Sequence, residues 1–355
     1  MHRNVVVLLV LNVVVSTFVV ISSHHWFTVW FGLEMNTLSI LPLLSYQYSP
    51  RSVESAIKYF LVQSFSAAII LNVVLIQAWF YSSWSVVQPL NIFSSSVMTL
   101  ALVLKLGLFP CHYWFPDVLQ GVSFLQGLIL STWQKIAPFI LMIYIVSSLN
   151  GLVLVLVSTL SVVVGAWGGL NQVQVRKMLA FSSITHIGWI CSVMFYSTSV
   201  SLVMFVVYVI INSSVFLISS ELGLYSLSLL GRLVYVNSAG GLCLVLSVLS
   251  LGGLPPLMGF LTKFLALECL MENGVIMISG ILVVGSLISL FFYLRIAFNS
   301  GLVLFPQHSL VIFTWRSVGF YKVNLSVVSV FLGILLSLSI FGIVCFPFLV
   351  SIVNN

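Results

Sequence analysis

Apolar residues follow one another along this chain in long stretches and seldom alternate with polar ones. A helix needs about 20 mostly apolar residues to cross the hydrocarbon core of a bilayer. In the strands of a membrane barrel, polar and apolar residues would alternate over about ten positions. Stretches such as 151–164 show no such alternation. The pattern therefore predicts an all-α polytopic membrane protein with about eleven transmembrane helices, at 4–22, 26–46, 55–81, 92–108 with a broken continuation to 118, 123–147, 151–170, 178–195, 200–222, 237–269, 275–298 and 323–350.

The composition also indicates that lipid surrounds most of the chain. Hydrophobic side chains make up 61% of the 355 residues and charged ones 5%, against roughly 25% charged in a soluble domain. Because so few charges cannot cover a soluble surface, a soluble enzyme, a disordered chain and a nucleic-acid-binding protein are excluded. No domain boundary or repeat is visible, so 1–355 is predicted to be a single transmembrane domain. Its core covers about 26–298, and 299–355 adds a long loop (299–322) and the last helix.

The basic residues are distributed unevenly between the predicted loops. The N-terminal side carries Arg3, Arg51, Arg176, Lys177, Arg232, Arg316 and Lys322. The other side has only Glu268 and Glu272 nearby, so the positive-inside rule predicts an inner N-terminus. No cleavable targeting segment is expected before the first span. The five scattered cysteines form no Cys-x-x-Cys pair, so they are interpreted as small apolar residues and no metal site is predicted.

Four ionisable residues fall in the middle of predicted spans: Glu34, Lys105, Lys135 and Lys263. A charge at bilayer depth costs a few kcal/mol or more, and one acid cannot pair with three lysines. Burial disfavours the charged form of a lysine and a nearby carboxylate favours it, so such lysines can gain and lose protons. The four are therefore predicted to form a proton relay. The alternative is a snorkelling side chain or a structural ion pair, and it is favoured near span ends, for Lys58, Arg295 and Glu268.

The helices that carry the lysines contain prolines, each of which removes a backbone hydrogen bond. Pro255 and Pro256 are expected to free the carbonyls of Leu251 and Gly252, shortly before Lys263. Breaks are also expected at Pro110 and Pro116, after Lys105, and at Pro138, after Lys135. Broken helices at bilayer depth line hydrated cavities and mark ion sites in transporters. An ordinary proline kink is the alternative.

Two histidines and one further lysine are candidate relay members. His112 and His186 lie within or beside spans and could titrate between the lysines, or they could be satisfied structural residues. Ser182, Ser183 and Thr185 precede His186 and could hold water. Lys58 is the third candidate.

At these residues the chain resembles a known family. The segments 31–39, 58–63, 105–118, 133–138, 169–177, 182–189 and 251–263 are similar, in the same order, to NADH dehydrogenase subunit 2, the antiporter-like subunit family of respiratory complex I. The resemblance covers most of the chain, and the region after Arg295 is less distinctive.

The resemblance implies a half-channel architecture with two broken helices in the proton-pumping arm of a proton-translocating NADH:ubiquinone reductase. By motif, Glu34 and Lys105 match the family's Glu–Lys pair, Lys135 its central lysine, and Lys263 the lysine after the second break. It implies partners resembling subunit 4 and subunit 4L, besides membrane lipids. NADH, FMN, iron–sulfur clusters and ubiquinone would be bound by other subunits, with no cofactor or redox centre in this chain.

The expected location is the mitochondrial inner membrane, with the N-terminus in the matrix and the C-terminus in the intermembrane space. Two other functions are left open by the residues alone. A stand-alone cation/proton antiporter would use the same lysines without redox partners, and a structural assembly subunit would use the charges only to hold neighbours.

Overall fold

The computed structural model describes residues 3–86, 88–228, 230, 238–255, 257–304 and 333. They form a bundle of thirteen α-helices within this described part. The helices are α1 (Arg3–Ser22), α2 (Trp26–Leu44), α3 (Pro50–Tyr81), α4 (Ile92–Leu106), α5 (Trp114–Gly121), α6 (Phe124–Ser131), α7 (Trp133–Tyr144), α8 (Gly151–Leu170), α9 (Val175–Met194), α10 (Thr198–Glu221), α11 (Ser238–Gly252), α12 (Met258–Glu272) and α13 (Ile276–Leu304), with a 3₁₀ turn at Val146–Ser148.

The chain is an all-helical membrane protein. Among the described residues, seven helical segments are long and apolar enough to cross a bilayer: α1, α2, α3, α6 with α7, α8, α10 and most of α13. Two further predicted spans are divided into shorter helices, α4 with α5 and α11 with α12. The predicted last span, 323–350, lies outside the described residues.

Helix α9 lies at the centre of the bundle, although it is among the less apolar long helices. It packs against α5, α6, α8, α10, α12 and α13, and nearly all its residues are buried. The contact with α8 is close, since a Cβ on Gly188 would lie 2.4 Å from Ser161 Oγ and one on Gly165 would lie 2.8 Å from Thr185 Cγ2. Small residues permit such approach between membrane helices. Because other helices shield α9 on every side, its hydroxyl-rich sequence does not meet lipid.

Contacts between helix ends show which loops lie on the same side of the bundle. One isolated bridge joins His25 to Ser85, and another joins Gln174 to Ser226. The Arg295 guanidinium donates to the carbonyl of Leu170, 3.0 Å away at the end of α8. These contacts fit regular alternation of the crossings. In this structure the Arg295 guanidinium thus binds backbone carbonyls at a helix end.

The breaks in the lysine-bearing helices differ in part from the expectation. Helix α4 ends before Gly107, and α11 ends before Gly253; both glycines have positive φ, 76° and 78°, which side chains disfavour. The prediction for Pro116 is wrong, because this proline lies in the first turn of α5, where its missing N–H costs no helical bond.

The prediction for Pro138 is also wrong, because α7 continues through this residue. The interruption lies six residues earlier, at Thr132, which sequence analysis had placed inside one continuous helix. There the N–H of Lys135 donates to the carbonyl of Thr132 at 3.2 Å, one residue short of its regular helical acceptor, Ser131.

Candidate functional site

Three lysines lie inside the bundle beside helix breaks. Lys105 is in the last turn of α4 and 6% exposed, Lys135 is the third residue of α7 and 3% exposed, and Lys263 is half-buried in α12. All six acidic residues of the chain are described, and none forms an ion pair with any of these lysines. Among the described residues, the three ammonium groups therefore have no carboxylate partner.

Lys105 is fixed between α4 and α3 by polar contacts to Gln63. Its Nζ donates to the Gln63 carbonyl at 3.4 Å, and Gln63 Nε2 donates to the Lys105 carbonyl at 3.2 Å. Because the last carbonyls of a helix have no helical donor, the second bond satisfies one of them. Both residues are buried.

Glu34 is half-buried on α2 and does not touch Lys105 in this structure. Its carboxylate accepts a hydrogen bond from Thr37 Oγ1 at 3.3 Å. A network next to it joins three helices. Gln134 Nε2 donates to Asn36 Oδ1 at 2.9 Å, and Tyr59 donates to Gln134 Oε1 at 3.1 Å. The predicted Glu34–Lys105 pair is therefore separated here.

A small cavity lies between Lys105 and Lys135. It gives the centre of a water molecule about 10 Å³, which is room for about one ordered water. Its lining includes Tyr59, Gln63, Trp114 and Gln134. Two donors of lining residues, Lys135 Nζ and Trp114 Nε1, are buried and have no hydrogen-bond partner in the described part of the chain. The ammonium of Lys135 instead faces the Phe115 ring, 4.4 Å from its centroid.

Tyr208 on α10 links this cavity to the next group of polar residues. Its ring centroid is 5.8 Å from Lys135 Nζ and 5.7 Å from the His186 ring. Its hydroxyl donates to the Ser131 carbonyl at 3.0 Å. Sequence analysis missed Tyr208. Its position four residues before Asn212, on the same helix face and within the apolar stretch 202–211, was the available signal.

A second cavity lies between His186 and Lys263. It also has about 10 Å³ for the centre of a water molecule, and Tyr208 and Thr262 contribute to its lining. Tyr293 OH lies 3.3 Å from His186 Nε2. Lys263 Nζ donates to the Gly252 carbonyl at 2.8 Å. The break was predicted to free this carbonyl from its helical hydrogen bond, and in the structure it accepts one from Lys263 instead.

Two sequence candidates lie outside both cavities. His112, between α4 and α5, is buried, and its Nδ1 lies 3.3 Å from the Pro110 carbonyl. The Lys58 side chain is 42% exposed and forms ion pairs with Glu54 at 2.7 Å and Asp117 at 3.5 Å. The geometry thus brings together Lys105, Lys135, His186 and Lys263, and it favours a structural ion pair for Lys58.

Comparisons with known proteins agree with this arrangement. Residues 23–289 match the family described as NADH:quinone oxidoreductase/Mrp antiporter, TM, and residues 290–350 match NADH dehydrogenase subunit 2 C-terminus. The chain is 63% identical over 354 residues to NADH-ubiquinone oxidoreductase chain 2 of Patiria pectinifera, covering 100% of both chains. It is 48% identical over 317 residues to that of Paracentrotus lividus, covering 89% of this chain and 90% of the relative.

Two solved structures share the fold. A chain of respiratory complex I from Thermus thermophilus has a TM-score of 0.81 and 26% identity, over 98% of this chain and 80% of that chain. A chain of the Mrp complex from Dietzia has a TM-score of 0.75 and 20% identity, over 82% of this chain and 59% of that chain, a likeness of fold alone. From the family match and the identity to its relatives, the chain belongs to the NADH-ubiquinone oxidoreductase chain 2 family.

Proposed function

We propose that this chain is a core membrane-arm subunit of respiratory complex I that relays protons through Lys105, Lys135 and Lys263. Other subunits would bind NADH, FMN, iron–sulfur clusters and ubiquinone and carry the electrons. The identity to chain 2 relatives supports this function over a stand-alone antiporter, because the similarity to the Mrp complex is one of fold only.

The environment of Lys135 carries the proposal. Its ammonium is buried, has no hydrogen-bond partner among the described residues, and is next to a cavity of about 10 Å³ for the centre of a water molecule. An isolated buried charge is strongly unfavourable, so the side chain is stable only when it is neutral or solvated by water in that cavity. A lysine held under these conditions is suited to accept a proton and pass it on.

Glu34 would act as the switch on the first lysine. An ion pair at 4 Å is worth about 4 kcal/mol at an effective dielectric constant near 20. If Glu34 approaches Lys105, it stabilises the protonated amine by about this amount. When the two separate, as they are in this structure, the proton is released towards Lys135 through the cavity. His186 and Lys263 would receive it next, in the second cavity.

We infer that the chain resides in the mitochondrial inner membrane with about eleven crossings. Counting α4 with α5, α6 with α7, and α11 with α12 as single crossings gives ten, and the predicted span 323–350 would be the eleventh. The basic loops favour a matrix N-terminus and an intermembrane-space C-terminus. The family resemblance favours subunits 4 and 4L as the neighbouring chains.

The test is a set of charge-removing variants in the assembled complex. Lys135→Met keeps side-chain length and removes the ammonium, and Glu34→Gln removes the switching charge. Both are expected to lower proton pumping and NADH oxidation per assembled complex, measured in proteoliposomes. Lys177→Met is the matched control, because Lys177 is a first-turn residue of α9 in the basic loop region.

Two results would contradict the relay. If Lys135→Met and Glu34→Gln pump and turn over like the control, the buried charges do not conduct protons. If the variants reduce only the amount of complex, and the assembled fraction pumps normally, then the charges serve assembly and the structural alternative is correct.

A further inference from the structure

The interruption between α6 and α7 leaves the Ser131 carbonyl without its helical donor, close to Lys135. In a regular helix the Ser131 carbonyl would accept from the Lys135 N–H. Here the Lys135 N–H bonds to the Thr132 carbonyl instead. The Ser131 carbonyl is satisfied by the hydroxyl of Tyr208, at 3.0 Å. The position of Lys135 at the start of α7 therefore depends on a hydrogen bond from another helix.

Asn212 completes this cluster and offers it a second arrangement. Its Nδ2 donates to Ser131 Oγ at 2.9 Å and to the Tyr208 hydroxyl at 3.4 Å. Its Oδ1 is buried and has no hydrogen-bond partner in the segments that the structure describes. A half-turn of the amide would exchange these two atoms. Tyr208 could then donate to Oδ1 and release the Ser131 carbonyl, which could again accept from the Lys135 N–H.

We propose that Ser131, Tyr208 and Asn212 form a latch that controls proton transfer between Lys135 and His186, with Tyr208 as the positioning residue. In the fastened state, the Tyr208 hydroxyl donates to the Ser131 carbonyl, which keeps the helix interrupted and Lys135 against the Phe115 ring. In the released state, the Ser131 carbonyl accepts from the Lys135 N–H, and this added helical hydrogen bond moves Lys135 relative to His186. The proton then passes from the Lys135 ammonium to the His186 imidazole, which leaves a neutral amine and an imidazolium. This inference rests on the proposed function.

Two variants fix the latch in opposite states. Tyr208→Phe keeps the ring next to Lys135 and removes the hydroxyl, so the Ser131 carbonyl can no longer be fastened. Asn212→Ala keeps the bond from Tyr208 and removes the alternative acceptor, so the latch stays fastened. Tyr144→Phe is the matched control, because the exposed Tyr144, at the opposite end of α7 from Lys135, also donates its hydroxyl to a backbone carbonyl, that of Ile21, and lines neither cavity.

The measurements are NADH oxidation and protons pumped per NADH, both per assembled complex in proteoliposomes. Tyr208→Phe is expected to pump fewer protons per NADH than the control, because the transfer step is no longer gated. Asn212→Ala is expected to oxidise NADH more slowly with an unchanged number of protons per NADH. If the cluster had only a structural role, both variants would show the same change in NADH oxidation and in protons pumped per NADH.

An unchanged proton yield in assembled Tyr208→Phe overturns the latch, as does the same defect in both variants. If Tyr208→Phe does not assemble, Asn212→Ala decides, and a normal rate of NADH oxidation in it rejects the proposal. The Lys135→Met variant distinguishes a failure of the latch proposal from a failure of the proposed relay. A pumping defect in Lys135→Met with normal behaviour of both latch variants leaves the relay in place and removes only the latch.

Discussion

Replacing Gly259 by alanine should separate α11 from α12 at the break. A Cβ on Gly259 would lie 1.7 Å from the carbonyl oxygen of Ser250, and ordinary contacts begin at 3.4 Å. The backbones must therefore part by about 1.7 Å, the difference between the two distances. The clashing atom belongs to a main chain, so no side-chain rotation relieves it.

The cost follows from what this movement disturbs. Overpacking of a buried site costs about 1–3 kcal/mol, and occasionally more. The bond from Lys263 Nζ to the Gly252 carbonyl, 2.8 Å long, spans the same break and would be strained. A hydrogen bond to a charged group contributes about 1.5–3 kcal/mol, so the total destabilisation is about 2.5–6 kcal/mol. That is a large part of the free energy of unfolding of an ordinary domain.

The assay is the amount and thermal stability of the intact complex. Gly280→Ala is the matched control, because Gly280 is also helical and a Cβ there meets nothing within 4 Å. Gly259→Ala should lower both the yield of complex and its unfolding temperature, and its surviving fraction should pump less. Gly280→Ala should be neutral or slightly stabilising, since alanine has the higher helix propensity. Equal yield and equal unfolding temperature for the two variants would refute the close approach of α11 and α12.

Three further changes test other parts of the structure. Trp114→Phe removes an N–H at the first cavity that has no partner among the described residues, and it should slow proton pumping. Trp26→Phe removes a buried N–H that likewise lacks a partner there but lies away from that cavity, and it should leave pumping unchanged. Equal pumping rates in the two variants would contradict this role. Arg295→Met removes the bonds to the end of α8 and should lower the free energy of unfolding by about 1.5–3 kcal/mol, read as a lower unfolding temperature of the complex. Glu54→Gln breaks an exposed ion pair of Lys58 and should leave both pumping and unfolding temperature nearly unchanged; a large pumping defect would restore Lys58 as a relay candidate.

Long apolar stretches were sufficient to predict most helices. The predicted span 151–170 coincides with α8. The bounds of α1 and α10 differ from their predicted spans by at most two residues at either end. The start of α3 was placed five residues late, because the polar side chains Arg51 and Glu54 were assigned to a loop. They lie in the first turns of α3, after a Ser49 N-cap and a proline at the first helical position, Pro50.

The site was predictable where its causes are local. Two glycines and two prolines mark the break before Lys263, and the Gly252 carbonyl that the break frees is bound by that lysine. The interruption at Thr132 has no such local signal, since the Ser131 carbonyl beside it is bound by Tyr208, 77 residues further along the chain. Whether Glu34 touches Lys105 is decided by the packing of α2 against its neighbours, which no spacing within either helix specifies.

The central position of α9 has a consequence for how the protein is made. A segment with Arg176, Lys177 and His186, and with several hydroxyl groups, would partition poorly into lipid on its own. Only four residues, 171–174, separate it from the strongly apolar α8. The glycine-mediated fit between the two helices is available as soon as both leave the ribosome, so α8 and α9 are suited to insert together as a helical hairpin. The first helix then supplies the hydrophobicity that carries the second across the membrane.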